Sequence, residues 1–206
     1  MTNYTIFGGS LGSALDFPEL AGGPPGPADW TLHVVDTGAP PLEADALGTD
    51  VVYGDCLVRG YRRSGGFTLV FDDTGRFDLS GDGATMTWYR PAGASLEAAR
   101  ADITSRVLAM ALHAAGVFSL HASAVSIDGN GVAFLAPKHH GKSTLCSALV
   151  LAGARAISDD TVPVRPGEPP HLVPGLPRLR LWTDSAERLF GVESAADSAE
   201  RLFGVE

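Results

Sequence analysis

Cysteine is scarce in this chain. Its 206 residues hold only Cys56 and Cys146, at no metal-type spacing, which excludes a zinc finger or ribbon and leaves room for one disulfide at most. Basic residues are few as well. Fifteen Lys and Arg stand against 24 Asp and Glu, for a net charge of -9 and a pI near 5.0. That excludes a general nucleic-acid binder, because gripping a phosphate backbone needs a basic surface. A small anion site stays open, since a few local groups decide it. No apolar run reaches the ~18 residues of a membrane helix. The opening MTNYTIFGGS has neither the basic start nor the apolar core of a signal peptide. These absences lead to the expectation of a reduced, cytoplasmic protein without a membrane partner, where ATP is at hand. What is present, 45% hydrophobic and 19% charged residues, suffices for a globular core.

Residues 1–90 read as β-rich. YTIF, TLHVV, DVVYGDCLV, FTLVF and ATMTWY are short strand-forming runs bounded by Gly, Pro and Asp. GGPPGPAD (22–29) reads as a loop, and FDDTGRF (71–77) as a hairpin turning through Asp72–Gly75. GGSLG (8–12) resembles a phosphate loop, but Pro18 and the following Pro-Gly run do not suit a Rossmann helix, so a flexible turn is expected. From Ser95 the period changes. Leu96, Ala99, Ile103, Val107, Met110 and Ala114 share one helical face, with Ser95 as N-cap and Gly116 as stop; His113 reads as a packing or surface residue.

Two strands follow, FSLHASAVSI (118–127) and GVAFLA (131–136), joined by Asp128–Gly129–Asn130 as a tight antiparallel hairpin. The second runs into PKHHGKST, then a helix over 142–152 closed by Gly153. ARAIS (154–158) reads as a strand ending at Asp159–Asp160, PVRPGEPPHLVPGLP (163–177) as a loop and RLRLW (178–182) as a strand. DSAERLFGVE occurs at 184–193 and identically at 197–206. That offset turns the second copy by about 220° around a continuous helix, so the apolar sets share no face. Two copies are too few for a solenoid, and the tail reads as a duplication at the end of a truncated chain. The expected division is a β-rich region (1–94), a nucleotide-binding domain (95–193) and the duplicated tail (194–206).

The stretch AFLAPKHHGKST carries the chemistry. A phosphate loop needs backbone N–H groups turned to the phosphate, a helix N-terminus behind them and a lysine that reaches the β and γ phosphates. Pro137, Lys138, His139, His140, Gly141, Lys142, Ser143 and Thr144 match this pattern. Lys142 supplies the charge and the Ser143 hydroxyl is placed for Mg²⁺. His139 and His140 serve through their rings or through their amides alone. Ala136 stands where the pattern opens with glycine; it is small, and Pro137 helps fix the exit from the strand. Gly141 is the glycine that cannot be spared, since a side chain is expected to crowd the bend. The strand before Asp159 and Asp160 is expected beside the strand feeding the loop, which brings the acidic pair near the phosphates, to hold Mg²⁺ or accept a hydroxyl proton. His121, on the strand antiparallel to the loop strand, is the remaining candidate. Cys146, just inside the loop helix, is open to ATP-protected alkylation if exposed.

The segment LHASAVSIDGNGVAFLAPKHHGKSTLCSALVLAGARAISDDTV (120–162) resembles the catalytic domain of HPr kinase/phosphorylase. It is closer still to bacterial HPr-kinase-like serine kinases with a β-rich N-terminal region. YTIFGGSLGSALDFPEL and PGLPRLRLW are similar to the same group. The resemblance implies an α/β (α+β) fold with a mixed sheet, related to phosphoenolpyruvate carboxykinase, and a kinase that uses ATP and Mg²⁺ to phosphorylate a serine of a small protein or ribosomal peptide. It makes Gly141–Lys142–Ser143 the phosphate loop, His121 the preceding histidine, Asp159 the base and Asp160, with Ser143, the metal partner. The family's hexamers imply a homo-oligomer. Thr144 replaces the acidic residue that HPr kinases proper have there, so the phosphorylase reaction and the HPr substrate are not carried over. The alternative is a non-catalytic ATP-binding module that recognises a peptide. A small-molecule kinase fits less well, because the acidic strand of common P-loop kinases comes much later than Asp159.

Overall fold

A computed structural model describes residues 1–176 except 54, 138 and 139. Lys138, His139, Pro177, the RLRLW strand and the duplicated tail lie outside the described residues. The fold is mixed α/β and strand-rich, with few helices. The described residues divide into two compact units, Met1–Thr5 with Gly9–Val117, and Ile6–Gly8 with those from Phe118 to residue 176. The helical segment after Ser95 therefore groups with the first unit and not with the loop domain, where the sequence reading had placed it.

The first unit is built on a nine-stranded sheet. Its strands are β1 (Thr2–Ile6), β2 (Gly9–Ser13), β3 (Ala21–Gly22), β4 (Trp30–Val35), β5 (Asp45–Tyr53), β6 (Cys56–Arg63), β7 (Gly66–Phe71), β8 (Gly75–Ser80) and β9 (Thr85–Tyr89), in the order β3-β1-β2-β4-β9-β8-β7-β6-β5. The pairs β2/β4 and β4/β9 are parallel, and β5 to β9 form an antiparallel meander. Period-two alternation puts Phe77, Leu79, Met86 and Trp88 in the core. Phe77 lies opposite Trp88 and stacks on it, centroids 5.7 Å apart. The Asp72–Gly75 hairpin forms as expected, with Phe71 opposite Gly75. Two expectations change. In GGSLG only Gly8 is in a turn; Gly9–Gly12 belong to the largely buried strand β2. DVVYGDCLV is two strands, β5 and β6, because the chain reverses between Tyr53 and Cys56.

The helical segment starts on Ser95, whose hydroxyl accepts from Ala98 N at 3.2 Å. It runs as α1 (Leu96–Asp102), a π-helical turn (Ile103–Val107) and α2 (Leu108–Ala114). The Thr104 and Ser105 hydroxyls donate back to the Arg100 and Ala101 carbonyls at 2.8 and 2.6 Å, which favours a wider turn there. The extra residue rotates the apolar stripe, so Leu108, Ala111 and Leu112 are buried in place of Met110 and Ala114. Thr74 Oγ1 donates to the buried Asp102 at 2.6 Å and ties this helix to the β7–β8 hairpin.

The second unit contains β10 (Ser119–Leu120), β11 (Ser123–Ile127), β12 (Asn130–Phe134), α3 (Lys142–Leu151), β13 (Arg155–Ser158), β14 (Val162–Arg165) and β15 (His171–Leu172). They form two three-stranded sheets, β12-β11-β13 and β10-β14-β15. On one face of the first sheet Val125 and Cys146 pack with Val132, Phe134, Leu149 and Val150. On the other Ala122, Ala124 and Val162 pack with Leu120, Ile157 and Leu172. Asp128 and Gly129 adopt φ of 49° and 81°, the pair of positive values a two-residue primed turn needs, and Ile127 faces Asn130 across it. The Pro-rich segment expected as a loop is a short hairpin, β14–β15. Pro163 offers no N–H but its carbonyl takes the N–H of Val173, and Val164 donates to Phe118. FSLHASAVSI is broken at His121–Ala122, so β10 and β11 belong to different sheets.

Candidate functional site

β12 delivers the chain to the loop, and α3 begins at Lys142 with Gly141 as its N-cap. Gly141 has φ +80°, a left-handed backbone that side chains resist. A Cβ there would meet no described heavy atom within 4 Å, so the need for glycine is conformational and not the crowding expected from sequence. Gly141 has no side chain with which to cap the first-turn amides of α3, which leaves that end suited to an anion. Lys142 folds back across the bend, its Nζ donating to the Ala136 carbonyl at 2.8 Å and the Pro137 carbonyl at 3.4 Å. His140 N also donates to the Pro137 carbonyl, at 3.3 Å. Ala136 thus contributes a carbonyl, which any residue has. His140 is exposed and Thr144 half-buried.

The acidic pair enters from β13. That strand lies beside β11, and not beside the loop strand β12 as expected; β11 stands between them. The crossover through α3 skips a strand, yet β12 and β13 both run antiparallel to β11, so their C-terminal ends share one edge of the sheet. Asp159 therefore still meets the loop: Ser143 Oγ donates to its Oδ1 at 3.0 Å. Asp160 follows with φ +65°, and Thr161 N donates to the Asp159 carbonyl at 2.8 Å. Together these define a γ-turn of the rare positive-φ kind, a strain that clusters at functional sites. The Ser158 hydroxyl braces the turn at the Thr161 carbonyl, 2.6 Å away. His121 is exposed, and its Nδ1 donates to the Asp160 carbonyl at 3.1 Å. The site thus brings Lys142, Ser143, Asp159, Asp160 and His121 to one sheet edge. Of the acidic pair, Asp159 is the one whose carboxylate accepts from Ser143.

Ser123 was not anticipated. It is fully buried, its hydroxyl donates to Asp159 Oδ1, and it lies 3.4 Å from Ser143 Oγ. The signal was its parity with Val125, which places it on the face of β11 toward α3. Cys146 lies on the same side, fully buried; burial, with the Asp159 charge adding to it, pushes its thiol from 9.0 up to about 12. The alkylation allowed for an exposed thiol does not apply.

Among the described residues no three His, Cys, Asp or Glu side chains converge as a metal cluster. The Ser143 hydroxyl and the Asp159 carboxylate are hard oxygen donors, and Mg²⁺ commonly takes one or two such ligands with the remainder from water and substrate phosphates. These residues fit that use. Among the described residues no helix is long and apolar enough to cross a membrane. Scans against family models, curated proteins and solved structures return no match for the chain.

Proposed function

We propose that this chain binds ATP with Mg²⁺ at residues 137–144 and transfers the γ-phosphoryl group to a serine of a small protein or peptide, with the second unit built as an HPr-kinase-like phosphate-loop domain. The observation that carries this reading is the hydrogen bond from Ser143 to Asp159, which couples the loop helix to an acidic residue at the end of β13. Mg²⁺ bound there would neutralise charge on the phosphates. The amides of Lys142, Ser143 and Thr144 bind the phosphate oxygens, and the Lys142 ammonium, released from the Ala136 and Pro137 carbonyls, takes charge on the transferred group. Contact with Ser143 favours Asp159 as the cation's carboxylate. Asp160 is then the base that accepts the serine proton, with His121 holding its backbone. This reverses the order drawn from the resemblance. Positioning and electrostatics carry the rate, since phosphoryl transfer asks little covalent chemistry of the protein.

The test offers [γ-³²P]ATP and Mg²⁺ with serine peptides. Label on peptide serine that is lost in both Asp159→Asn and Asp160→Asn supports the kinase. ATP binding without transfer to any serine peptide or protein offered would leave a nucleotide-binding module in its place.

A further inference from the structure

We infer that Ser123 is a positioning residue that holds the Asp159 carboxylate where Ser143 reaches it; this rests on the nucleotide-binding reading above. Ser123 opens β11 amid Ala122, Ala124 and Val125, all fully buried. A buried hydroxyl needs a partner, and this one donates to a carboxylate, the stronger kind of bond. Three oxygens from three separate elements converge: Ser123 from β11, Ser143 from α3 and Asp159 from the end of β13. Both hydroxyls donate to the same Asp159 oxygen, so one side of the carboxylate is fixed from two directions. The β11–β13 register shifts between Ala124 and Val125, one residue from Ser123. Such irregularities re-aim side chains beside functional sites.

The inference separates two parts of nucleotide binding. The loop amides and Lys142 do not depend on Ser123; the placement of Asp159 for a cation does. Isothermal titration of the full chain with ATP, in EDTA and across a Mg²⁺ series, reads the two apart. For Ser123→Ala we expect metal-free ATP affinity within about twofold of wild type. The Mg²⁺ concentration for half-maximal enhancement should rise by about tenfold, the low end for a hydrogen bond to a charged group. Ser123→Thr, which keeps the hydroxyl, restores the wild-type value. If the alanine variant does not fold, Ser123→Cys keeps the branching and leaves no void while offering only a weak donor, and is expected to show the same shift. An unchanged Mg²⁺ dependence, or a parallel fall with and without Mg²⁺, overturns the inference and leaves the nucleotide reading intact. Wild-type protein that binds no ATP overturns both.

Discussion

Restoring glycine at position 136 completes the phosphate-loop pattern, and it should gain nothing. Among the described residues the non-glycine positive-φ positions are Phe7, Asp128 and Asp160, so Ala136 sits in backbone that any residue adopts. Its role is the carbonyl that accepts from Lys142 Nζ at 2.8 Å, and Ala136→Gly keeps that carbonyl. ATP affinity should therefore stay within about twofold. The added glycine loosens the unfolded chain, so stability should fall by about 0.4–1 kcal/mol, or about 1–4 °C in melting temperature for a chain of this length. Gly141→Ala is the contrast. No described atom blocks its Cβ, so the cost is that of forcing a left-handed backbone, about 1–2 kcal/mol. Relieving the strain rotates the N-cap that starts α3 through Leu145 N and the Gly141 carbonyl. That turns the amides behind it, and ATP affinity should fall at least about tenfold. Thermal melts and calorimetric titration of both variants check this. A clear gain in affinity for Ala136→Gly would refute the argument that the opening glycine is dispensable here.

Asp160→Gly relieves a strained positive φ, so it should keep stability within about 1 kcal/mol of wild type while abolishing transfer to serine; a melt and a kinase assay on one preparation read both. Cys146 should resist thiol reagents in the folded protein at neutral pH, counted by mass spectrometry, with and without ATP. Its raised pKa also sets a pH slope. The folded thiol keeps its proton where the unfolded one loses it, so this contribution is complete below about pH 9 and is lost as pH rises toward about 12. Denaturant melts across that window should show a shallower fall for Cys146→Ala than for wild type.

The strand–loop–helix–strand order of the second unit was legible because hydrophobic runs, a Gly-stopped helix and the Asp128–Gly129 turn each encode local geometry. The capped helix after Ser95 was legible for the same reason. What failed was one local competition and the pairings distant in sequence. The Thr104 and Ser105 back-bonds that widen a turn look like ordinary helix residues, yet they rotate the whole stripe behind them. Pro163 suggested a loop, because its missing N–H matters only once its partners are known. The acidic pair was found by its place after a strand, but the order of that sheet was not, since β13 chooses β11 through pairing that leaves no mark in its four residues. Ser123 carries no signal of its own in the sequence. Its meaning depends on Asp159, 36 residues later, and no local pattern joins them.

The central claim is that main-chain amides behind Gly141, with the Lys142 ammonium, grip a polyphosphate. Calorimetric titration of wild-type protein and Lys142→Ala with ATP and Mg²⁺ tests it most directly. The account predicts saturable one-to-one binding by wild type, weakened at least about tenfold in the variant. Equal affinities, or no heat in either, would contradict it.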